Sequence, residues 1–84
     1  MTTIDTTVSS NDGWTTISID DNSNMVVYNP SDVEVLFKID SNSTSKGIPL
    51  TKDNPITVDT DIEILVPSGF NNSEVIATIT KIVS

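Results

Sequence analysis

Hydrophobic residues recur at every second position in two separate segments of this 84-residue chain. The positions that follow this pattern are Val33, Val35, Phe37, Ile39, Ile62, Ile64 and Val66. A period of two places these side chains on one face of a strand, because successive residues of a β-strand point to opposite sides. We therefore predict that these residues form the core of an antiparallel β-sandwich.

Turn residues separate these segments from other β-prone runs. Further short strands are predicted within 14–19, 24–28, 48–50, 56–58 and 73–83. Asn and Pro in 29–32 favour a type I turn, so 24–39 is predicted to be a hairpin. Pro49 lacks a backbone N–H, which places its segment at a sheet edge. Since no segment has a helical period, the sequence predicts an all-β fold, a small antiparallel β-sandwich or compact barrel of about seven to eight short strands.

The composition removes several kinds of chemistry. The chain has no His, Cys or Arg, and four Lys stand against twelve Asp and Glu, for a net charge of −8. The usual general base, thiol nucleophile, soft metal ligands and bidentate anion clamp are therefore missing. Four scattered Lys do not make a surface for nucleic acid or for an anionic membrane. We expect no enzymatic activity, no catalytic residue, no cofactor, and neither nucleic acid nor membrane as a partner.

Two groups of acidic residues are candidate cation sites. Asp59, Asp61 and Glu63 fall on one face of a predicted strand, where they spread over about 13 Å, too far to share one ion on a straight strand. The Asp20-Asp21-Asn22-Ser23 loop lacks the Gly and the distal Glu of a calcium-binding EF-hand loop. Both groups are interpreted as solvated acids, and no metal is expected to be needed for folding.

The size of the chain favours assembly. A domain this short buries only about 60–65% of its unfolded surface, and disulfides are impossible without Cys. Residues 13–84 are predicted to form the sandwich, and residues 1–12 an N-terminal arm that becomes a strand if a partner pairs with it. Candidate interface residues are five residues of this arm and two aromatic residues: Thr2, Thr3, Ile4, Thr6, Val8, Trp14 and Phe70. Trp14 lies opposite the apolar face of its strand and could equally cap one end of the sandwich. Phe70 follows a turn and is either a contact residue or a plug of its loop.

Four segments carry a resemblance: a strand ending in an Asn-Pro-Ser turn (28–32), a Gly-Ile-Pro-Leu edge (47–50), a Pro-Ile-Thr-Val strand (55–58), and a strand finishing at Pro-Ser-Gly (64–69). Together they resemble small accessory proteins of tailed-bacteriophage virions, of the decoration, head-fibre or tail-adaptor kind. The resemblance implies a structural virion protein, made in the host cytoplasm, that decorates or stabilises the capsid in many copies. Its implied partners are the major capsid protein or another virion protein, and copies of itself in a homo-oligomer.

Two other functions remain open from the residues. A carbohydrate- or receptor-binding sandwich would be favoured by a row of exposed aromatic side chains or by a Ca²⁺ on the Asp loops. An acidic inhibitor or nucleic-acid mimic would use the charge of −8 against a basic partner, and would be favoured by acids gathered on one face.

Overall fold

A computed structural model describes residues 1–39 and 46–83 of the chain. Its eight strands are β1 (Thr2–Ser9), β2 (Thr15–Ile17), β3 (Met25–Tyr28), β4 (Leu36–Lys38), β5 (Ile48–Pro49), β6 (Ile56–Val58), β7 (Ile62–Leu65) and β8 (Ile76–Val83). Two short 3-10 turns, Ser10–Asp12 and Phe70–Asn72, are the helical elements of the described residues. Short strands with polar turns agree with the all-β prediction.

The strands form two four-stranded antiparallel sheets. Sheet A has the order β1-β8-β3-β6, and sheet B has the order β2-β7-β4-β5. Each strand of the first half of the chain thus pairs with one of the second half, in the nested series β1–β8, β2–β7, β3–β6 and β4–β5. This is the strand order of a jelly roll, a double-sheet sandwich made of two Greek keys. The predicted antiparallel β-sandwich is confirmed.

Connections alternate between the two ends of the sandwich, because all paired strands are antiparallel. What we call the first end carries the β1–β2, β3–β4, β5–β6 and β7–β8 connections. The second end carries the β2–β3, β4–β5 and β6–β7 connections, and part of the β4–β5 connection lies outside the described residues. Apart from β4–β5, each connection carries the chain from one sheet to the other.

The core lies between the sheets and contains five of the seven predicted core residues. Its members are Val8, Ile17, Met25, Val27, Val35, Phe37, Leu50, Val58, Ile62, Ile64, Val66, Ala77, Ile79 and Val83. Val33 is half-buried and packs against this cluster. The prediction for Ile39 is wrong, since its side chain is 52% exposed. Strand β4 ends at Lys38, so the alternation carries Ile39 past the covered part of the sheet.

The predicted hairpin over 24–39 is also wrong. Strand β3 lies in sheet A and β4 in sheet B, and they do not pair with each other. Asn29 makes a side-chain turn, because its Oδ1 accepts from the backbone N–H of Ser31 at 3.0 Å, while the type I backbone turn stays a prediction. The turn therefore opens a crossing between sheets and not a return along the same sheet.

Residues 1–12 do not form a separate arm. Strand β1 pairs with β8 of its own chain over all eight of its residues, from Thr2 opposite Val83 to Ser9 opposite Ile76. Val8, near the end of β1, is 1% exposed and belongs to the core. The division of the chain into an arm and a sandwich is corrected to a single sandwich in which β1 is an edge strand.

Candidate functional site

Phe70 stands out from the first end of the sandwich, with 88% of its surface exposed. A small closed loop holds it there. The Gly69 N–H donates to the carbonyl oxygen of Ser73 at 2.9 Å, and the Ser73 N–H donates to that of Phe70 at 3.2 Å. A Cβ at Gly69 would lie 2.6 Å from the Ser73 hydroxyl oxygen and 3.1 Å from Val75 Cγ2, so a side chain there would require Ser73 to move. The hydrogen-bonded backbone of the loop thus sets the direction in which the side chain of Phe70 leaves the chain.

The backbone of this loop uses unusual dihedral angles. Asn71 and Asn72 both have positive φ, at 56° and 59°. Asn adopts the left-handed region more readily than other residues that have a side chain, since its short amide bonds locally to the backbone. The Asn-Asn pair thus permits a tight loop with an aromatic residue at its start.

Hydrogen bonds join the loop to the end of β1. The Ser10 N–H donates to the Val75 carbonyl oxygen at 2.8 Å, and the Val75 N–H donates to the Ser10 hydroxyl oxygen at 2.8 Å. The Ser9 hydroxyl donates to Glu74 Oε2 at 2.5 Å. The loop that carries Phe70 is accordingly hydrogen-bonded to the end of β1, and the carboxylate of Glu74 is nearby in sequence.

The predicted contact residues of β1 have different surroundings. Thr2, Thr3 and Ile4 are exposed, with Ile4 at 38%, whereas Thr6 is half-buried. Val8 is a core residue, so the prediction that it is a contact residue is corrected. The exposed part of β1 is therefore its N-terminal half, at the second end of the sandwich.

Trp14 lies on the outer side of sheet B. The Lys38 ammonium sits 4.5 Å from the centre of its ring, and also lies 3.5 Å from Glu63 Oε2. A Cβ at Gly47 would be 3.0 Å from the ring atom Cη2, so the backbone there packs closely on the indole. Trp14 is thus half-buried, and its ring makes a cation–π contact with Lys38.

The predicted interface residues do not form one surface. Phe70 belongs to the first end and the Trp14 ring lies on the outer side of sheet B, while Thr2, Thr3 and Ile4 belong to the second end. The structure offers two separate exposed features among them, the Phe70 loop and the outer edge of β1.

A lysine on the core face is a feature that the sequence interpretation missed. Lys81 aligns with Ile79 and Val83 on the inner face of β8, and is 7% exposed. Its ammonium donates to the Ser18 carbonyl oxygen at 2.6 Å and to Asp20 Oδ2 at 3.3 Å. The sequence does contain a signal for this burial, because Lys81 has the same two-residue spacing as the buried apolar residues of its strand.

This lysine belongs to a polar cluster at the second end. The hydroxyl of Ser18 donates to Asp20 Oδ1 at 2.8 Å, and this bond, followed by the bond and charge of Lys81, lowers the pKa of the Asp20 carboxyl below its ordinary value. Asp61 Oδ1 accepts from the Ile19 N–H at 2.8 Å. The cluster holds the β2–β3 connection by hydrogen bonds from Lys81 and to Asp61, which is a structural role.

The acidic residues have separate surroundings. Asp61 binds the backbone of Ile19, Glu63 pairs with Lys38, and Asp59 borders a hollow beside Ile39. Within residues 1–39 and 46–83, no three His, Cys, Asp or Glu are placed to hold one metal ion. Asp20 forms an ion pair with Lys81.

A hollow of about 340 Å³ opens at the first end, between the β3–β4 and β5–β6 connections. Polar side chains that include Ser31, Glu34 and Lys52 line it, and Lys52 pairs with Asp32 at 3.2 Å. The Ser31 hydroxyl in this lining donates to Asn29 Oδ1 at 2.9 Å.

Comparison with protein-family models gave no match, and neither did comparison with curated proteins or with solved structures. The described part of the chain contains no helix long and apolar enough to cross a bilayer.

Proposed function

We propose that this chain is a structural protein of a tailed-bacteriophage virion, which decorates and stabilises the capsid in many copies. The observation that carries the proposal is the Phe70 loop, an aromatic side chain 88% exposed on a closed, braced loop. Aromatic residues that enter a partner's pocket dominate many protein interfaces. The backbone of the loop is already ordered by hydrogen bonds, so little backbone freedom is lost when a partner covers Phe70.

The energy available from Phe70 is sufficient for a contact. Complete burial of a Phe side chain contributes about 1.5–3 kcal/mol relative to exposure. One such anchor gives weak binding per copy, which suits a lattice where many copies bind and where pairing between copies adds avidity. The acidic residues Asp12 and Glu74 lie in connections at the same end of the sandwich as Phe70, and they favour an apolar pocket with basic residues at its rim.

The fold is compatible with this function. Jelly-roll sandwiches occur in viral capsid proteins, and also in lectins and other proteins, so the architecture alone does not assign a function. The segments that resemble phage accessory proteins include 28–32, 47–50 and 64–69. In the structure, 28–32 builds a connection at the first end and 64–69 leads directly into the Phe70 loop.

Among the described residues, the aromatic and acidic side chains do not have the arrangements that would favour the alternatives. All four aromatic residues are described, and Phe70 is the exposed one, since Trp14 and Tyr28 are half-buried and Phe37 is buried. They therefore form no row on which sugars could stack. The described acids are spread over both ends of the sandwich, as Asp12, Asp53 and Glu74 at the first end and Asp20 and Asp59 at the second illustrate.

A binding experiment tests the role of Phe70 in this function. Capsids of the phage whose genome encodes this chain would be prepared without it and mixed with purified intact chain, Phe70→Ser, or Ile48→Ser. Ile48 is a matched control, because it is also apolar and 57% exposed but lies on β5, away from the loop.

The intact chain and Ile48→Ser are expected to sediment with capsids, and Phe70→Ser to bind roughly tenfold or more weakly, as loss of one buried aromatic group predicts. If the intact chain does not bind, or Phe70→Ser binds as well as the intact chain, the proposal fails.

A further inference from the structure

The outer side of β1 is an open sheet edge. Strand β1 is paired with β8 on one side, and no strand of the described residues pairs with the other side. Six of its eight residues are β-branched, and it contains neither Pro nor Lys. Proteins commonly block an exposed edge with Pro, Lys or a bulge, so this edge is left suitable for pairing.

The other described edges are much shorter. Strands β2 and β6 have three residues each, and β5 has two. Pro49 lies in β5, and Pro55 directly precedes β6, which limits pairing on those edges. In a second copy of the chain, the edge strand that matches β1 in length is therefore the β1 strand of that copy.

The free backbone groups of β1 can be assigned from its pairing. The Ser10 N–H donates to the Val75 carbonyl oxygen, one position beyond the paired residues Ser9 and Ile76. In an antiparallel pair, residues that bond to the partner alternate with residues that do not. The even-numbered residues of β1 thus bond to β8, and Thr3, Asp5 and Thr7 direct their N–H and C=O groups outward.

We infer that two copies of this chain pair through β1 in an antiparallel, two-fold symmetric arrangement that joins their A sheets into one continuous sheet. The inference is independent of the virion proposal, because it concerns the opposite end of the sandwich from Phe70. Two-fold pairing uses the same edge on both copies and closes the assembly at a dimer.

The side chains select one register. The inner face of β1 is covered at Val8, which is 1% exposed, but open at Ile4, which is 38% exposed. Pairing centred on Ile4 sets the two Ile4 side chains opposite each other in a non-hydrogen-bonded pair, where side chains are closest. Each exposed Ile4 then gains an apolar neighbour on the open half of the strand.

Charge supports the same register. Asp5 is the one charged residue in β1, and its Oδ1 accepts from the Thr80 hydroxyl at 2.8 Å. A register centred on Asp5 would place two carboxylates directly opposite, which is unfavourable. Centring on Ile4 sets Asp5 opposite Thr3 of the second copy. The net charge of −8 on each copy is distributed over the molecule, and salt screens it beyond about 8 Å at physiological ionic strength.

Cysteine cross-linking tests both the contact and its register, since the chain has no Cys of its own. In the proposed register, two Cys introduced by Ile4→Cys have Cα atoms about 4.5 Å apart, within the range for a disulfide. Two Cys from the control, Thr6→Cys, are four positions apart along the strands, about 13 Å. Both substitutions are on the inner side of β1, and circular dichroism verifies that each variant folds.

Under mild oxidation, Ile4→Cys is expected to form a covalent dimer rapidly, at least about tenfold faster than Thr6→Cys. Sedimentation equilibrium of the intact chain at high concentration is expected to show species of twice the 9.1 kDa monomer mass. A monomer at all concentrations, or cross-linking of Thr6→Cys at the rate of Ile4→Cys or faster, would overturn the inference.

A proline substitution provides an independent measurement without cysteine. Thr3→Pro removes an outward N–H near the centre of the proposed pairing and leaves the bonds to β8 intact, whereas Thr7→Pro acts at its margin. The dimer dissociation constant is expected to rise at least about tenfold for Thr3→Pro and much less for Thr7→Pro. Equal dimerisation by Thr3→Pro and the intact chain would contradict the pairing, whatever the result for Phe70→Ser on capsids.

Discussion

Lys81 in sheet A binds the backbone of Ser18 at the end of sheet B. The lysine ammonium donates to the Ser18 carbonyl oxygen at 2.6 Å, from a side chain that is only 9% exposed. At the opposite end of the sandwich, the Asn29 amide donates to the Leu50 carbonyl oxygen at 3.3 Å. The first contact joins strand β8 of sheet A to the segment after β2 of sheet B, and the second joins the segments that follow β3 of sheet A and β5 of sheet B. Each end of the sandwich therefore has a buried polar contact between the sheets.

The Asn29 tie predicts a large effect of a small substitution. Asn29 is 1% exposed, and it also donates to the Val33 carbonyl oxygen at 2.6 Å. Asn29→Ala leaves these buried acceptors without a donor, so we expect a loss of about 2–3 kcal/mol in the free energy of unfolding, measured by urea titration. The control Asn54→Ala changes an exposed amide and should cost less than about 0.5 kcal/mol. Equal costs would show that Asn29 is not a tie.

The Asp20 cluster predicts a dependence of stability on pH. The hydroxyl of Ser18 and then the ammonium of Lys81 lower the pKa of Asp20 in the folded chain. The stabilisation from its carboxylate is therefore complete above the unfolded pKa of about 4 and is lost as the pH falls through the lower folded value.

Asp20→Asn should consequently be less stable than the intact chain at neutral pH, and the difference should shrink as the pH falls below about 4. Asn is suited to the positive φ of 56° at this position, so the substitution does not add backbone strain. Urea titrations over a pH series measure the difference. A difference that stays constant across the series would refute the assigned cause.

The revised core makes opposite predictions for two residues of one alternating segment. Phe37 is 6% exposed and Ile39 is 52% exposed. Phe37→Ala should cost about 3–5 kcal/mol, which leaves a domain of this size close to unfolded, and Ile39→Ala less than about 1 kcal/mol. Thermal unfolding followed by circular dichroism distinguishes them. Similar losses for both variants would restore Ile39 to the core.

Deletion of β1 tests the correction of the predicted arm. A free arm could be removed without effect, but β1 pairs with β8 along its whole length and contributes Val8 to the core. Deleting residues 1–9 should therefore leave the chain largely unfolded, whereas deleting Met1, which is 96% exposed, should change little. An unchanged melting temperature after deletion of 1–9 would contradict this role of β1.

The sequence predicted individual strands better than their partners. The spacing of two between Val35 and Phe37, and between Ile62 and Ile64, correctly identified the buried faces of their strands, because a period of two depends only on local geometry. Asn29 does bond locally to the backbone of Ser31, but such a local bond is the same in a hairpin and in a crossing between sheets. Strand partners are set by the packing of the whole chain, and this information is not local.

The candidate contact residues show the same limit. Exposure of Phe70 follows from the fold of its loop, which depends on Gly69 and on the Asn pair, so a turn signal alone did not determine it. Val8 was misassigned because weak alternation in β1 does not reveal that β1 joins sheet A and places Val8 in the core. Lys81 was recognisable in principle, since it is in phase with Ile79 and Val83, but its partner Ser18 is 63 residues away.

The proposed function requires that a tailed-phage genome encodes this chain, and its most direct test is quantitative mass spectrometry of the purified virions of that phage. We predict that the chain is present in many copies per particle, at a fixed ratio to the major capsid protein that persists through repeated density-gradient purification. A virion carrying Phe70→Ser should lose most of these copies, while one carrying Ile48→Ser should retain them. Absence of the intact chain from purified particles would contradict the account.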